Sequence, residues 1–247
     1  MQCVLAMPAY NEEECIAAVV NGWTTELRRR FGSGFRMVVV NDGSRDRTGA
    51  ILDSLAREIP ELVVIHQPNG GHGSALYTAY HKALEFHPDW VFQTDSDDQF
   101  SPSDFGSLWD MRATSRFLLG RRKVRHDAKH RLFITRILRA LIFAMFRANL
   151  RDCNVPYRLI EGGYLRGLLR ILPPDMFAPN IFLSVLAARD GQQLWEIPIS
   201  HKDRQTGTVS ILRWKLLRVC FRCAGELIRF RLQLRQGLRE LELITQS

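Results

Sequence analysis

The chain has 247 residues, nearly half of them apolar, and a net charge of +8. That suits one large α/β domain, or one domain with an appendage, built around a full core. No stretch of about 18 uncharged apolar residues occurs, which argues against a spanning helix, and the five scattered cysteines suit reduced thiols better than a disulfide framework.

The longest apolar segment, Leu132–Leu150, is interrupted by Arg136, Arg139 and Arg147. Cys220 and Cys223 form a C-x-x-C without a second pair or a nearby histidine, so they are expected on a helix rather than at zinc. The N-terminus runs directly into an apolar strand pattern, and no leader is expected before it. Basic residues gather after residue 112 and acidic ones before it. Such a bias marks a solvated face or contact with something anionic: phosphates, a membrane surface or nucleic acid.

In the first half, short apolar runs alternate with amphipathic stretches. Cys3–Met7, Met37–Val40, Leu62–Ile65 and Trp90–Gln93 read as strands. Helical patterns lie near Glu13–Arg30, Arg47–Glu58 and Ser74–Phe86. This alternation predicts a mostly parallel sheet with helices on both faces, whose ligands lie at the carboxyl ends of the strands. Beyond Ser115 a strand-like Phe117–Leu119 leads into the basic loop Arg121–His126. Helical patterns follow near Arg131–Leu150, Tyr164–Leu172 and Ile181–Arg189, then a strand near Leu194–Ser200 and one or two basic helices over about Ile211–Leu243.

Polar clusters punctuate every strand end of the first half. The carboxylates of Asp95 and Asp97, two apart, can aim the same way, and Mg²⁺ or Mn²⁺ binds one or two carboxylates together with substrate phosphates. Alternatively they form an exposed acidic turn; the apolar strand before them and Gln99-Phe100 after them favour the site. In Asn41–Thr48, Asp42-Gly43-Ser44 suits a tight turn, with Ser44 or Asp46 capping the next helix. Asp42 can also accept from a nucleobase edge, and the two readings are compatible. Gly70-Gly71-His72-Gly73 suits close backbone approach to an anion at a helix N-terminus, although the lysine of a P-loop is missing. His72 by itself marks no site.

The ordered series Pro8-Ala9-Tyr10-Asn11-Glu12, Asn41-Asp42-Gly43-Ser44, Asn69-x-Gly71-x-Gly73 and Asp95-x-Asp97-x-Gln99 resembles family 2 glycosyltransferases of the GT-A fold. Within them it looks most like dolichyl-phosphate mannose synthase and the bacterial polyprenyl-phosphate glycosyltransferases. The resemblance covers about residues 2–210. It implies a GT-A domain over 1–210, with a nucleotide-binding half (1–112) and an acceptor-side half (113–210), followed by a basic amphipathic helical tail (211–247). It also implies metal-dependent, inverting transfer of a sugar from a nucleotide-sugar to a polyprenyl phosphate.

The resemblance assigns roles as well. Pro8, Tyr10, Glu12 and Asp42 would hold the nucleoside, with Gly71 and Gly73 beside the donor. Asp95, Asp97 and Gln99 would hold Mg²⁺ or Mn²⁺ and the diphosphate. Arg121 or Arg122, and Arg204, would contact the donor diphosphate or the acceptor phosphate. Asn41 stands where many relatives have Asp, and Asp152–Arg158 departs from their Gly-Phe-Arg.

A phosphate acceptor is anionic and needs positioning more than a base. A hydroxyl acceptor would need one, and Asp98 or Asp152 are the candidates. In Trp214–Leu232, Trp214, Leu217, Phe221, Ala224 and Ile228 recur at helical spacing beside Lys215, Arg218, Arg222 and Arg229. Such a face suits either packing on the domain or a membrane surface. The expected location is therefore cytoplasmic and peripheral at the membrane, by direct contact or through a membrane protein partner. Four alternatives remain: another acceptor, a nucleotidyltransferase, nucleic-acid binding, or a non-catalytic scaffold, against which the intact Asp95/Asp97 pair counts. No recognition motif supports nucleic-acid binding.

Overall fold

The computed structural model describes residues 2–122, 139–148, 150, 152, 154–173, 176, 178–191, 194–202 and 225–232. Strand β1 (Cys3–Ala9) is buried along its whole length. A strand covered on both faces reads as an unbroken apolar run, which is what made it visible in the sequence. The expected alternation follows: α1 (Ile16–Phe31), β2 (Phe35–Asp42), α2 (Thr48–Glu58), β3 (Leu62–Gln67), α3 (His72–Glu85) and β4 (Trp90–Thr94). Helix α1 starts later than the pattern near Glu13 suggests, because the amides of Asn11, Glu12 and Glu13 donate to the loop after β2 instead.

The second half contributes α4 (Phe105–Asp110), β5 (Phe117–Arg122), a helical segment at 139–146 (α5), β6 (Tyr157–Glu161), α6 (Gly162–Ile171), α7 (Pro179–Arg189) and β7 (Trp195–Ile199). A last helical segment lies at 225–232 (α8). The sheet has seven strands in the order β3-β2-β1-β4-β6-β5-β7. All pairings are parallel except those of β6, which runs antiparallel to β4 and β5. The chain steps outward from β1 to β3 and then returns past β1 to β4. With right-handed crossovers, that reversal puts α1 and α2 on one face and α3 on the other. It also opens a crevice between the carboxyl ends of β1 and β4.

Two strands differ from expectation. Strand β5 does not stop at Leu119: Gly120, Arg121 and Arg122 continue it by pairing with Ile197, Pro198 and Ile199 of β7. The first two arginines of the expected basic loop are therefore strand residues. Strand β6 was hidden by Arg158, its second residue, which is fully buried. The guanidinium donates to the carbonyls of Val155 and Asn180 and to Ser184 Oγ, and it lies over the Phe117 ring. Those bonds replace the water that burial removes.

Helix α4 packs beside α1 through Trp23, Phe31, Phe105 and Trp109. Phe230 of α8 lies against Phe146 of α5 and Phe182 of α7. Within the expected basic helical tail, residues 225–232 thus place Phe230 against α5 and α7. Gly162 closes β6 onto the turn before β4: its N–H donates to the Asp89 carbonyl at 2.8 Å, and a Cβ there would overlap the Pro88 carbonyl oxygen. Gly162→Ala is expected to destabilise the fold by about 1–3 kcal/mol, since backbone must move to admit a methyl group. Thermal unfolding should show a midpoint several degrees lower; an unchanged midpoint would contradict this packing.

Candidate active site

The loops after β1, β2, β3 and β4 meet at the carboxyl edge of the sheet. Pro8 and Ala9 complete β1, and Tyr10 leaves the sheet with 41% of its surface exposed. Asn11 takes a positive φ of 54°, a conformation Asn tolerates better than most residues. The segment 11–13 then joins the loop after β2. Asn11 N donates to Ser44 Oγ at 3.0 Å, Glu12 N to Thr48 Oγ1 at 2.8 Å and Glu13 N to Asp46 Oδ2 at 3.2 Å. In return Arg45 N donates to Asn11 Oδ1, and Arg47 N to Glu13 Oε2. Glu12 is buried, and its Oε2 lies 3.4 Å from Cys15 Sγ.

Asp46 accepts from the Thr48 amide and hydroxyl at the start of α2, as the turn chemistry suggests. Ser44 does not cap that helix; its hydroxyl oxygen serves Asn11. Asp42, expected at the nucleoside, is 2% exposed. Its Oδ1 accepts from Gly70 N at 2.9 Å and Gln67 Nε2 at 2.7 Å, and its Oδ2 accepts from Gly71 N at 2.8 Å. The carboxylate therefore holds the glycine turn, where Gly71 has a φ of 85°. Gly73 is buried in the first turn of α3.

The loop after β4 carries the charge. Asp95 is half-buried, and its Oδ1 has no hydrogen-bond partner among the described residues. Burial pushes its carboxyl up to about 6; Asp97 adds to the rise, while His72, Arg122 and Arg158 oppose it. His72, which the sequence alone did not single out, thus stands at the first turn of α3 within electrostatic reach of Asp95. Asp97 Oδ1 accepts from Gln99 N at 3.3 Å. Beneath this loop, Phe100 packs on Tyr157, which also meets Trp23 and Phe92.

Of the two strand arginines, Arg122 acts on Asp95. Its Nε is 3.7 Å from Asp152 Oδ2, and the guanidinium lies over the Phe100 ring. Arg121, next along the strand, points to the opposite face.

The segment after β7 folds back on the acidic loop. Lys202 N donates to the Gln99 carbonyl at 2.9 Å, and Gln99 Nε2 donates to the Lys202 carbonyl at 3.3 Å. Phe100 and His201 form a β-bridge. Lys202 Nζ sits 3.6 Å from Asp98 Oδ2, and Asp98 has a positive φ of 55°. Gln99 was expected at a metal; here its amide nitrogen holds the later segment, which leaves Oε1 as the atom able to meet a cation. Lys202 escaped sequence reasoning because a lone lysine after a strand carries no pattern. Arg204 and the stripe Trp214–Ala224 lie outside the described residues.

Among the described residues no three His, Cys, Asp or Glu side chains gather as a protein-only metal cage. The oxygen donors of Asp95 and Asp97 instead fit a hard cation that takes one or two carboxylates and completes its shell from substrate phosphate and water.

The architecture is that of GT-A glycosyltransferases. Residues 4–160 match the glycosyl transferase family 2 profile, and the chain belongs to that family. It is 24% identical over 221 residues to an undecaprenyl-phosphate 4-deoxy-4-formamido-L-arabinose transferase of Pectobacterium atrosepticum, across 88% of this chain and 64% of the relative. It is also 25% identical over 235 residues to an undecaprenyl-phosphate mannosyltransferase of Micrococcus luteus, across 87% of this chain and 95% of the relative. The chain thus spans just under two thirds of the Pectobacterium relative's length. Among solved structures, glucosyl-3-phosphoglycerate synthase from Mycobacterium tuberculosis, in complex with Mn²⁺, UDP-glucose and phosphoglyceric acid, superposes with a TM-score of 0.61. That match has 16% identity and covers 93% of this chain and 79% of the other.

The buried oxygen of Asp95 gives a signed expectation. An acid whose folded value is raised binds its proton more tightly when folded, so stability falls as pH rises from the unfolded value toward about 6, and the loss is complete above it. Asp95→Asn cannot ionise. Without divalent ions at pH 7 it should melt higher than the parent chain, and between pH 4 and 7 it should lose part of the parent's decline. Thermal melts across that range check both; a variant that melts lower at pH 7 contradicts the account.

Proposed function

We propose that this chain is an inverting, divalent-metal-dependent glycosyltransferase that moves a sugar from a nucleotide-sugar to a polyprenyl phosphate at a membrane surface. The observation that carries the reading is Asp95: a buried carboxylate oxygen without a hydrogen-bond partner among the described residues, two residues from Asp97, directly after β4 beside the crevice. Leaving a buried charge uncompensated is costly, and such groups mark functional sites.

In this reading Asp95, Asp97 and the Oε1 of Gln99 hold Mg²⁺ or Mn²⁺. A divalent ion there neutralises the donor diphosphate and makes it a better leaving group. Tyr10 offers an exposed ring beside the nucleoside, while Pro8, Glu12 and Asp42 shape its pocket. Asp42 acts there mainly through the Gly70–Gly71 turn, whose position it sets. Arg122 supplies a forked donor to phosphate oxygens, held in place by Asp152 and Phe100. Arg204 follows two residues after the Lys202 clasp and is assigned to the acceptor phosphate. The anionic acceptor attacks in line and needs no general base. Asp98 suits that role poorly, since it is exposed and faces Lys202. The relatives named for undecaprenyl phosphate support this acceptor class.

Membrane contact has support in the helices. No helix among the described residues is long and apolar enough to cross a membrane. Helices α5 and α8 meet through Phe146 and Phe230 and expose Phe143, Ile228 and Leu232, at 51%, 54% and 79%. Arg139, Arg147, Arg229 and Arg231 lie on or directly after the same two helices. Exposed apolar side chains among arginines suit an anionic bilayer surface at the cytoplasmic face.

Thermal shift with UDP- and GDP-sugars, with and without Mn²⁺ or Mg²⁺, tests the donor site. One nucleotide-sugar is expected to raise the midpoint by several degrees only with metal, and Asp97→Ala should abolish the shift. Folded protein that responds to none of them would falsify the transferase reading. Release of nucleoside diphosphate that depends on polyprenyl phosphate, rather than on a small phosphorylated acceptor, then assigns the acceptor. For the membrane, replacing Phe143, Ile228 and Leu232 together with serine should weaken flotation on anionic vesicles by about tenfold or more, because each side chain loses apolar area available for burial. Unchanged flotation would remove this surface from the proposal.

A further inference from the structure

The last two residues of β2 serve opposite faces of the sheet. Asp42 reaches the glycine turn before α3, while Asn41 faces α2, where it meets His66 of β3, its cross-strand partner. Asn41 Oδ1 accepts from the Ser44 amide at 3.2 Å. A backbone N–H can only donate, so this bond fixes which way the Asn41 amide points. Asn41 Nδ2 then faces His66 Nδ1 at 2.9 Å and must donate to it. Accepting at Nδ1 leaves the ring hydrogen on Nε2, which lies 2.9 Å from Asp53 Oδ1 of α2 and donates there. A continuous chain therefore runs from Asp53 through His66 and Asn41 to Ser44.

The chain does not end at Ser44. The Ser44 hydroxyl oxygen accepts from Asn11 N, and Arg45 N donates to Asn11 Oδ1. Asn11 is the positive-φ residue directly after Tyr10, where the chain leaves β1. The fold makes room for this arrangement at Gly49. A Cβ there would stand 2.9 Å from Asn41 Nδ2 and 3.5 Å from His66 Cε1, so α2 can approach the pair only as glycine. Asn41 is 6% exposed, which makes an unmet donor on its amide costly.

We propose that His66 is a positioning residue for the donor-nucleoside loop, acting through Asn41 and Ser44 on Asn11 and Tyr10. His66 touches no substrate. By accepting from Asn41 Nδ2 it keeps Asn41 Oδ1 on the Ser44 amide, and so keeps the Ser44 hydroxyl on the amide of Asn11. The ring is held in the required tautomer by Asp53. The inference rests on the nucleotide-sugar reading for its effect on catalysis, but its structural half stands on the free protein.

The test uses the full chain with His66→Ala and His66→Asn. Asparagine places Oδ1 where histidine has Nδ1, so it keeps the acceptor for Asn41 while losing the bond to Asp53. In the free protein, hydrogen–deuterium exchange of the segments holding Asn11 and Ser44 should accelerate several-fold in His66→Ala and return most of the way in His66→Asn. With donor and acceptor, KM for the nucleotide-sugar should rise about fivefold in His66→Ala, the loss of roughly one hydrogen bond. The kcat should stay within about twofold, since no group at the reacting atoms is removed. His66→Asn should recover most of the KM. Exchange that is unchanged in folded His66→Ala, or accelerated equally in both variants, overturns the proposal whatever the donor proves to be. A fall in kcat with KM unchanged overturns its catalytic half. If the parent chain turns over no nucleotide-sugar, the transferase reading fails while the exchange result still decides the positioning role. Should His66→Ala fail to fold, Gly49→Ala, which crowds the Asn41–His66 pair from α2, must accelerate exchange at the same two segments, or the proposal falls.

Discussion

The site depends on how a parallel sheet ends. Its strands finish with amides and carbonyls that no neighbour completes, and buried backbone groups need partners. Here the loops complete one another. The amides of Asn11, Glu12 and Glu13 donate to side chains of Ser44, Thr48 and Asp46, and the Asp42 carboxylate collects the amides of Gly70 and Gly71. Side chains of the second loop therefore determine the backbone of the first and third. These bonds shape the end of the crevice at β1, β2 and β3, and they explain why short polar residues crowd these strand ends.

Against that saturated frame, the loop after β4 stands out. Asp95 keeps one buried oxygen without a hydrogen-bond partner among the described residues, and the charges around it come from its own loop, through Asp97, and from three other elements: His72 opening α3, Arg122 ending β5 and Arg158 inside β6. The aromatic layer of Phe92, Phe100 and Tyr157 supports the loop from below, and the Gln99–Lys202 pair clasps it from above. A carboxylate held this way is poor for stability and well placed for a cation that arrives with its phosphates. In the proposed reading, cost and use fall on the same atom, as expected where folding and function compete.

Much of this was legible in the chain itself. Strands β1, β2 and β4 are buried over nearly their whole length and β3, at the edge, is half-buried; all four carry short apolar runs, and each ends in a cluster suited to a ligand. What escaped is instructive. Strand β6 could not be seen because Arg158 interrupts it, and partners that include the nearby Val155 carbonyl and, from α7, Asn180 and Ser184 make a buried guanidinium tolerable. Arg121 and Arg122 looked like loop because two arginines carry no strand signal; β7 makes them a strand by pairing. Asp42 looked like a ligand contact, and the structure first gives it a turn to hold.

The sequence by itself determined the fold class, the order of the nucleotide-side elements and the residues that gather at the sheet edge. Those follow from periodicity and turn chemistry, which are local. Tertiary structure alone decided which arginine acts on Asp95, that Lys202 clasps the acidic loop, that α8 packs its Phe230 on the domain while exposing Ile228 and Leu232, and that His66 stands behind Asn41. Each of these joins residues far apart in the chain, and their partners are chosen by strand order and crossover direction, which no local pattern encodes.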